Sequence, residues 1–212
     1  MIAAITALLI VADPVRLTPE ADIWAYPHAA DQRDPYLRVW GLGDRSTGRD
    51  AAETENASYS LLRFALPVSR KGERLLAAEL VVTHIANPAW DAARSKANPI
   101  EARSVTGTID EKSWTYDALF KLTLGTADAD RYGIGFATEI VPDKEPEIRI
   151  NLLGEKSRFA ADVDRALGAD GTLAIALTSR ISAETRAVYK LFSKDAERAA
   201  VRPQLVLTFG TL

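Results

Sequence analysis

The sequence predicts an all-β protein: a two-sheet antiparallel jelly-roll sandwich with one or two short helices. Two observations carry this expectation. Short segments of strand-like hydrophobic patterning, eight to ten of them, recur along the chain and are punctuated by Pro and Gly. Only one segment has a persuasive helical period, too little helix to supply the crossovers of a parallel sheet. No fixed-period repeat is visible, which disfavours a solenoid or propeller.

The elements follow in order. The opening "MIAAITALLIVADPV" is continuously apolar from Ile2 to Ala12, shorter than the roughly 20 residues that cross a bilayer. Residues 1–12 read as an export signal or as a first strand buried on both faces. No Lys or Arg precedes the run, and Ile10 stands where a signal cut after Ala12 wants a small residue. "VRLTPEADIWAYP" is extended between prolines, and "YLRVWGLG" ends on Gly41 and Gly43. A polar stretch, "DRSTGRDAAETENAS", reads as a solvated loop. In "SYSLLRFALP", Leu62, Phe64 and Leu66 point one way, and Tyr59, Leu61, Arg63 and Ala65 the other. The first set is core; the second faces a ligand, a further packed layer or water. "RLLAAELVVTHIA" alternates Leu76, Ala78, Leu80 and Val82 against Glu79, Val81 and Thr83. "PIEARSV", "PEIRINLLG", "GTLAIALTSR", "AVYKLFSK" and "PQLVLTFG" continue the pattern. The helix lies in "SRFAADVDRALGADG", with Phe159, Val163 and Leu167 four apart, Ser157 capping the start and Gly168 ending it. A second helical turn is expected around "TYDALFKL".

With 212 residues, 47% hydrophobic and 26% charged, the chain suits a soluble globular protein. No linker-like composition breaks it, so residues 13–212 read as one sandwich domain. A net charge of −3 with no basic stripe argues against nucleic acid as a partner. The absence of cysteine excludes disulfides, thiolate catalysis and cysteine-ligated metals.

The catalytic inventory is thin. His28 and His84 are the only histidines and fit no zinc-ligand spacing. His84 extends the alternation of Leu80 and Val82 and reads as a partly buried structural residue; His28 reads as exposed in a polar turn. No GxSxG elbow is present. "NLLGEKSR" fails as a phosphate loop because Glu155 interrupts Gly-Lys-Ser, and "YGIGF" lacks the helix and third glycine of a dinucleotide site and reads as a turn. Asp44, Asp50, Glu53 and Glu55 fall in one loop, Asp128 and Asp130 in another. Neither set has the ligand order of a calcium loop; a structural calcium ion is left open and no other cofactor is expected.

Aromatics give the remaining cue. Trp24, Trp40, Trp90 and Trp114 lie near strand ends or in loops, where an indole can stack on a sugar ring or close the end of the core. Trp90, in "ANPAWDAARSKANP", has no apolar partner beside it and is expected to be the exposed one. Arg63 is expected on an outer face, paired with Glu79 or in contact with an anionic sugar.

Together "ADIWAY", "YLRVWGLG", "SYSLLRFALP" and "AAELVVTHI" resemble the N-terminal half of DNRLRE-type modules, a group related to alginate-binding carbohydrate-binding modules and disaggregatase repeats. "SWTYDALF", "FAADVDRALGADGTLAIAL" and "YKLFSKDAERAAVRPQLVLTF" resemble the second half, so the likeness runs from about Val15 to Phe209. Ala65 replaces the usual aspartate after the Arg-Phe pair, and the tryptophan after the helix is missing. The resemblance implies a secreted or cell-envelope, non-catalytic jelly-roll module that contacts polysaccharide or cell-surface material. Two other readings stand beside it: a structural or assembly module with a protein partner and no small ligand, and a jelly-roll polysaccharide lyase using Tyr189 and Lys190. The lyase reading lacks the usual glutamine-x-histidine partner.

Overall fold

The computed structural model describes residues 10–26, 35–41, 57–85, 90–105, 111, 131–137, 145–181 and 188–211. Twelve strands are present among them. In chain order they are β1 (Ile10–Val11), β2 (Val15–Leu17), β3 (Ala21–Ala25), β4 (Tyr36–Val39), β5 (Tyr59–Ala65), β6 (Arg74–Thr83), β7 (Ile100–Ser104), β8 (Arg131–Gly135), β9 (Glu147–Asn151), β10 (Thr172–Ser179), β11 (Tyr189–Phe192) and β12 (Gln204–Thr211). Helix α1 (Ala92–Ala97) precedes β7 and α2 (Phe159–Gly168) precedes β10. Sheet A runs β1-β12-β6-β9 with β2 also on β12, sheet B runs β3-β5-β10-β7-β8, and β4 and β11 form a two-stranded ribbon. Every pairing is antiparallel. The chain crosses repeatedly from one sheet to the other, as the sandwich reading requires.

Alternation places the core. Ile150, Leu80, Leu205 and Leu17 lie in one cross-strand row of sheet A, and Leu62 lies beside Ile175 in sheet B. These side chains meet Phe64, Leu66, Ile148, Leu207 and Phe209 in one continuous cluster between the layers. In β6 the expected pattern slips by one residue. A bulge opposite Thr208 and Phe209 makes Leu76 the unpaired extra residue, so Leu75 rather than Leu76 enters the core.

The outer faces differ. On sheet A, Glu147, Arg149 and Asn151 of β9 are exposed, and Arg149 bridges Glu79 (2.6 Å) and Glu147 (2.7 Å). On sheet B, Tyr59, Leu61, Ile23, Ala174 and Ala176 form a second buried cluster. The β5 face opposite the core is therefore buried at Tyr59 and Leu61, and opens through half-buried Arg63 to exposed Ala65. This corrects the expectation for Arg63: it is half-buried beside Ala174 and Ala21 in sheet B, while Glu79 belongs to sheet A and is taken by Arg149.

"YGIGF" is a strand and not the expected turn. Its glycines serve contact between layers: β8, at the edge of sheet B, crosses close over β9, at the edge of sheet A. A Cβ on Gly133 would come within 2.0 Å of the Asn151 carbonyl oxygen, and one on Gly135 would press on Ile150 and Ile148.

Helix α2 buries Phe159, Val163 and Leu167, as its period predicts. Tyr132 packs edge-on against Phe159 at 5.0 Å and donates its hydroxyl to Asp162 at 2.7 Å. The helix ends differ in detail. Arg158 is the N-cap, with Ser157 Oγ accepting from the Phe159 N–H at 3.2 Å. Gly168 stays helical, and Gly171, at φ +76°, turns the chain into β10 while its N–H donates to the Ala166 carbonyl. Helix α1 is capped by Asp91, which accepts from the Arg94 N–H at 3.0 Å. The expected turn at 115–122 lies outside the described residues, as do His28, Trp114 and the two acidic loops. Ile10 and Val11, from the apolar opening, pair with Thr211 and Gly210.

Candidate functional site: an aromatic and cationic ribbon

The β4–β11 ribbon pairs Tyr36 with Phe192, Leu37 with Leu191, Arg38 with Lys190 and Val39 with Tyr189. Period two then sorts its side chains. Leu37, Val39, Tyr189 and Leu191 are fully buried against the sandwich, whereas Tyr36, Arg38, Lys190 and Phe192 are half-buried on the other face. That face alternates rings with cations. Tyr36 and Phe192 lie 6.0 Å apart, the Lys190 ammonium is 3.9 Å from the Tyr36 ring centroid, and the Arg198 guanidinium is 5.6 Å from that of Phe192. Toward β3 the series continues through Trp40, 5.1 Å from Tyr26 and 6.2 Å from Trp24, with the Arg38 guanidinium 5.1 Å from Trp24.

The ribbon is fixed to both sheets. Trp40 exchanges backbone hydrogen bonds with Ser58, and Ser58 and Ser60 both donate their hydroxyls to the Arg38 carbonyl at 3.0 Å. On the other side His84 bridges Leu191, and the Ile85 N–H donates to the Lys190 carbonyl at 2.8 Å. Beyond β11 the Lys194 N–H donates to Asp22 at 2.5 Å.

Beneath the ribbon is an aromatic cluster of different character. His84 stacks on Trp90 at 4.0 Å and 16°, with Tyr189 edge-on to both. Trp90 is 7% exposed, which corrects the expectation that it is the open tryptophan: its ring partners are His84, just past β6, and Tyr189 of β11, far away in sequence. Neither His84 nitrogen makes a hydrogen bond of full geometry; burial pulls the ring down to about 4, outweighing a looser contact with the Val188 backbone that acts the other way. The Tyr189 hydroxyl lies 3.0 Å from the Ser95 and Asn98 carbonyls and 2.7 Å from Ser95 Oγ. Its single proton serves the carbonyls while its oxygen accepts from Ser95, which ties α1 to the ribbon. Burial pushes this phenol up to about 12. Tyr189→Phe is expected to lower stability by about 1–3 kcal/mol, the usual cost of leaving buried partners unsatisfied; urea unfolding with an unchanged m-value measures it.

No protein-family model matches the chain, and no curated protein sequence matches it. The site is therefore argued from its own chemistry.

Of the residues expected to bind, Trp24 and Trp40 come together, Trp24 as a buried residue of β3 and Trp40 half-buried at the end of the ribbon. Trp90 is on the ribbon's inner side and Arg63 is on the outer face of sheet B, so neither joins them. The residues that complete the face, Tyr36, Arg38, Lys190 and Phe192, each sit two apart within "YLRV" and "YKLF". That spacing is visible in the sequence; the pairing that brings the two segments side by side is not.

Among the described residues no three His, Asp or Glu side chains gather as a metal site, and no helix is long and apolar enough to cross a membrane. A depression of about 780 Å³ lies between the start of β6 and α2, lined by Leu75, Leu153 and Leu167 together with Lys71, Glu73 and Asp164. No ring lines it, so it offers a sugar no stacking surface.

Proposed function

We propose that the protein is a non-catalytic, carbohydrate-binding-like module of a secreted or cell-envelope system, contacting polysaccharide through the outer face of the β4–β11 ribbon. The observation that carries this reading is the interleaving there of Tyr36, Phe192 and Trp40 with Lys190; Arg198, over the Phe192 ring, is already paired with Glu145. Rings take the apolar face of a pyranose, and cations take carboxylate or sulfate groups. A non-catalytic role is supported by Tyr189, the residue a lyase reading would use as base. It is buried, committed to Ser95 and Asn98, and points away from Lys190.

Affinity electrophoresis on gels containing neutral or uronate-bearing polysaccharide tests the proposal. Retardation on the acidic gel is expected. Phe192→Ala and Lys190→Ala are each expected to weaken it about 2- to 12-fold, since one aromatic or cation contact is worth about 0.5–1.5 kcal/mol. Arg149→Ala, on the outer face of sheet A, is expected to bind like the parent. Unchanged migration of the parent on every gel overturns the reading. Self-association in light scattering would then favour an assembly module without a small ligand.

A further inference from the structure

The outer face of the ribbon has an order along its length as well as a composition. Tyr36, Arg38 and Trp40 alternate with the buried Leu37, Val39 and Gly41, so the three share one face of β4 and of its continuation to the Ser58 bridge. Across the ribbon Phe192 lies opposite Tyr36, and Lys190 opposite Arg38. The face therefore runs from rings through cations to a ring. Tyr36 and Trp40, on one extended strand, stand about 13 Å apart, further than a single pyranose reaches.

We propose, resting on the glycan-binding reading above, that the ribbon takes the interior of a linear acidic glycan laid along β4, with one acidic group at Lys190 and a sugar face on the ring to either side, Phe192 and Trp40.

Lys190 places the acidic group in the middle. Its ammonium sits 3.9 Å from the Tyr36 ring centroid, and it pairs with no carboxylate among the described residues. Other cations differ: Arg198 is taken by Glu145, Lys194 by Asp195 and Glu111, and Arg149 by Glu79 and Glu147. An ammonium held over a ring with no counter-charge can receive an anion through a charge-assisted hydrogen bond without first breaking an ion pair.

The rings set the length. Lys190 covers Tyr36, which leaves Phe192 as the stacking ring at that end. At the other end Trp40 is held by its backbone exchange with Ser58 and by Tyr26 at 5.1 Å. One sugar cannot touch both rings, whereas consecutive sugars of a chain can. The Arg198–Glu145 pair flanks Phe192 and Tyr26 flanks Trp40, which limits the strip to this short run.

Isothermal titration of the full chain with linear oligomannuronates and oligogalacturonates, from disaccharide to hexasaccharide and beside the corresponding polymers, is the test. The tetrasaccharide is expected to bind about 2- to 12-fold more tightly than the disaccharide, the worth of one further ring contact. No comparable gain is expected from tetrasaccharide to hexasaccharide. Opening the terminal sugar of the hexasaccharide by reduction is expected to leave binding unchanged, because no chain end is read. Phe192→Ala and Trp40→Ala are each expected to remove the gain with length, and should Trp40→Ala fail to fold, Phe192→Ala and the length series decide. Lys190→Gln is expected to keep the gain but to lose the weakening by salt that an exposed ion pair shows. Equal affinity for disaccharide and hexasaccharide, or loss of binding on terminal reduction, overturns the inference and leaves the glycan-binding reading in place. Absence of binding to oligomers and polymers alike overturns both.

Discussion

Replacing Gly133 with alanine is expected to destabilise the protein by about 3 kcal/mol or more, at the upper end of overpacking effects. The new methyl would lie 2.0 Å from the Asn151 carbonyl oxygen, a backbone atom that cannot swing aside as a side-chain tip does. β8 and β9 are the adjoining edges of the two sheets, so relief requires the edges to part. That separation would expose Ile148 and Ile150, both fully buried. Thermal and urea unfolding are the measurements. Gly154→Ala provides the contrast, because a methyl there meets only the Tyr132 carbonyl oxygen at an ordinary 3.6 Å. Equal, small effects at the two positions would mean that the sheets do not close along this edge.

The second large effect is expected from Leu61→Ala. Were the outer side of sheet B solvated, truncation there would cost less than about 0.5 kcal/mol, the usual figure for a surface position. Leu61 is instead fully buried, in the cluster with Tyr59, Ile23 and Ala176. The expected cost is about 3 kcal/mol, within the range for a core leucine and comparable to Leu62→Ala on the inner face. Val206→Ala, half-exposed on sheet A, is expected to cost under about 1 kcal/mol. Denaturant midpoints for the three variants decide the matter, and a Leu61 value near that of Val206 would remove the second layer.

The β architecture is legible because alternation in β9, and in β12 as far as Phe209, is strict and has a single cause, one face turned to the core. It failed where a local feature shifts the phase. The bulge in β6 exchanges Leu75 for Leu76, and no residue in "RLLAAEL" announces it. Gly133 and Gly135 looked like turn chemistry because a glycine that permits close approach and a glycine that permits a bend read alike in one dimension. The binding face was half legible. Tryptophans drew attention as the largest rings, yet size is also what buries them, as Trp24 and Trp90 show. The more open rings, Tyr36 and Phe192, become neighbours only through the pairing of β4 with β11. Arg63 does not meet the expected Glu79 because β5 and β6, consecutive in the chain, lie in different sheets.

The unequal dressing of the two sheets has an evolutionary corollary. Along β10 nearly every side chain is buried on one side or the other, while alternate positions on β9 are exposed and joined only by surface ion pairs and hydrogen bonds. Neutral drift can rewrite half of β9 at the small cost of surface ion pairs but has almost no free letters in β10. Distant kin of this chain should thus be recognisable first by "GTLAIALTS" and last by "PEIRIN".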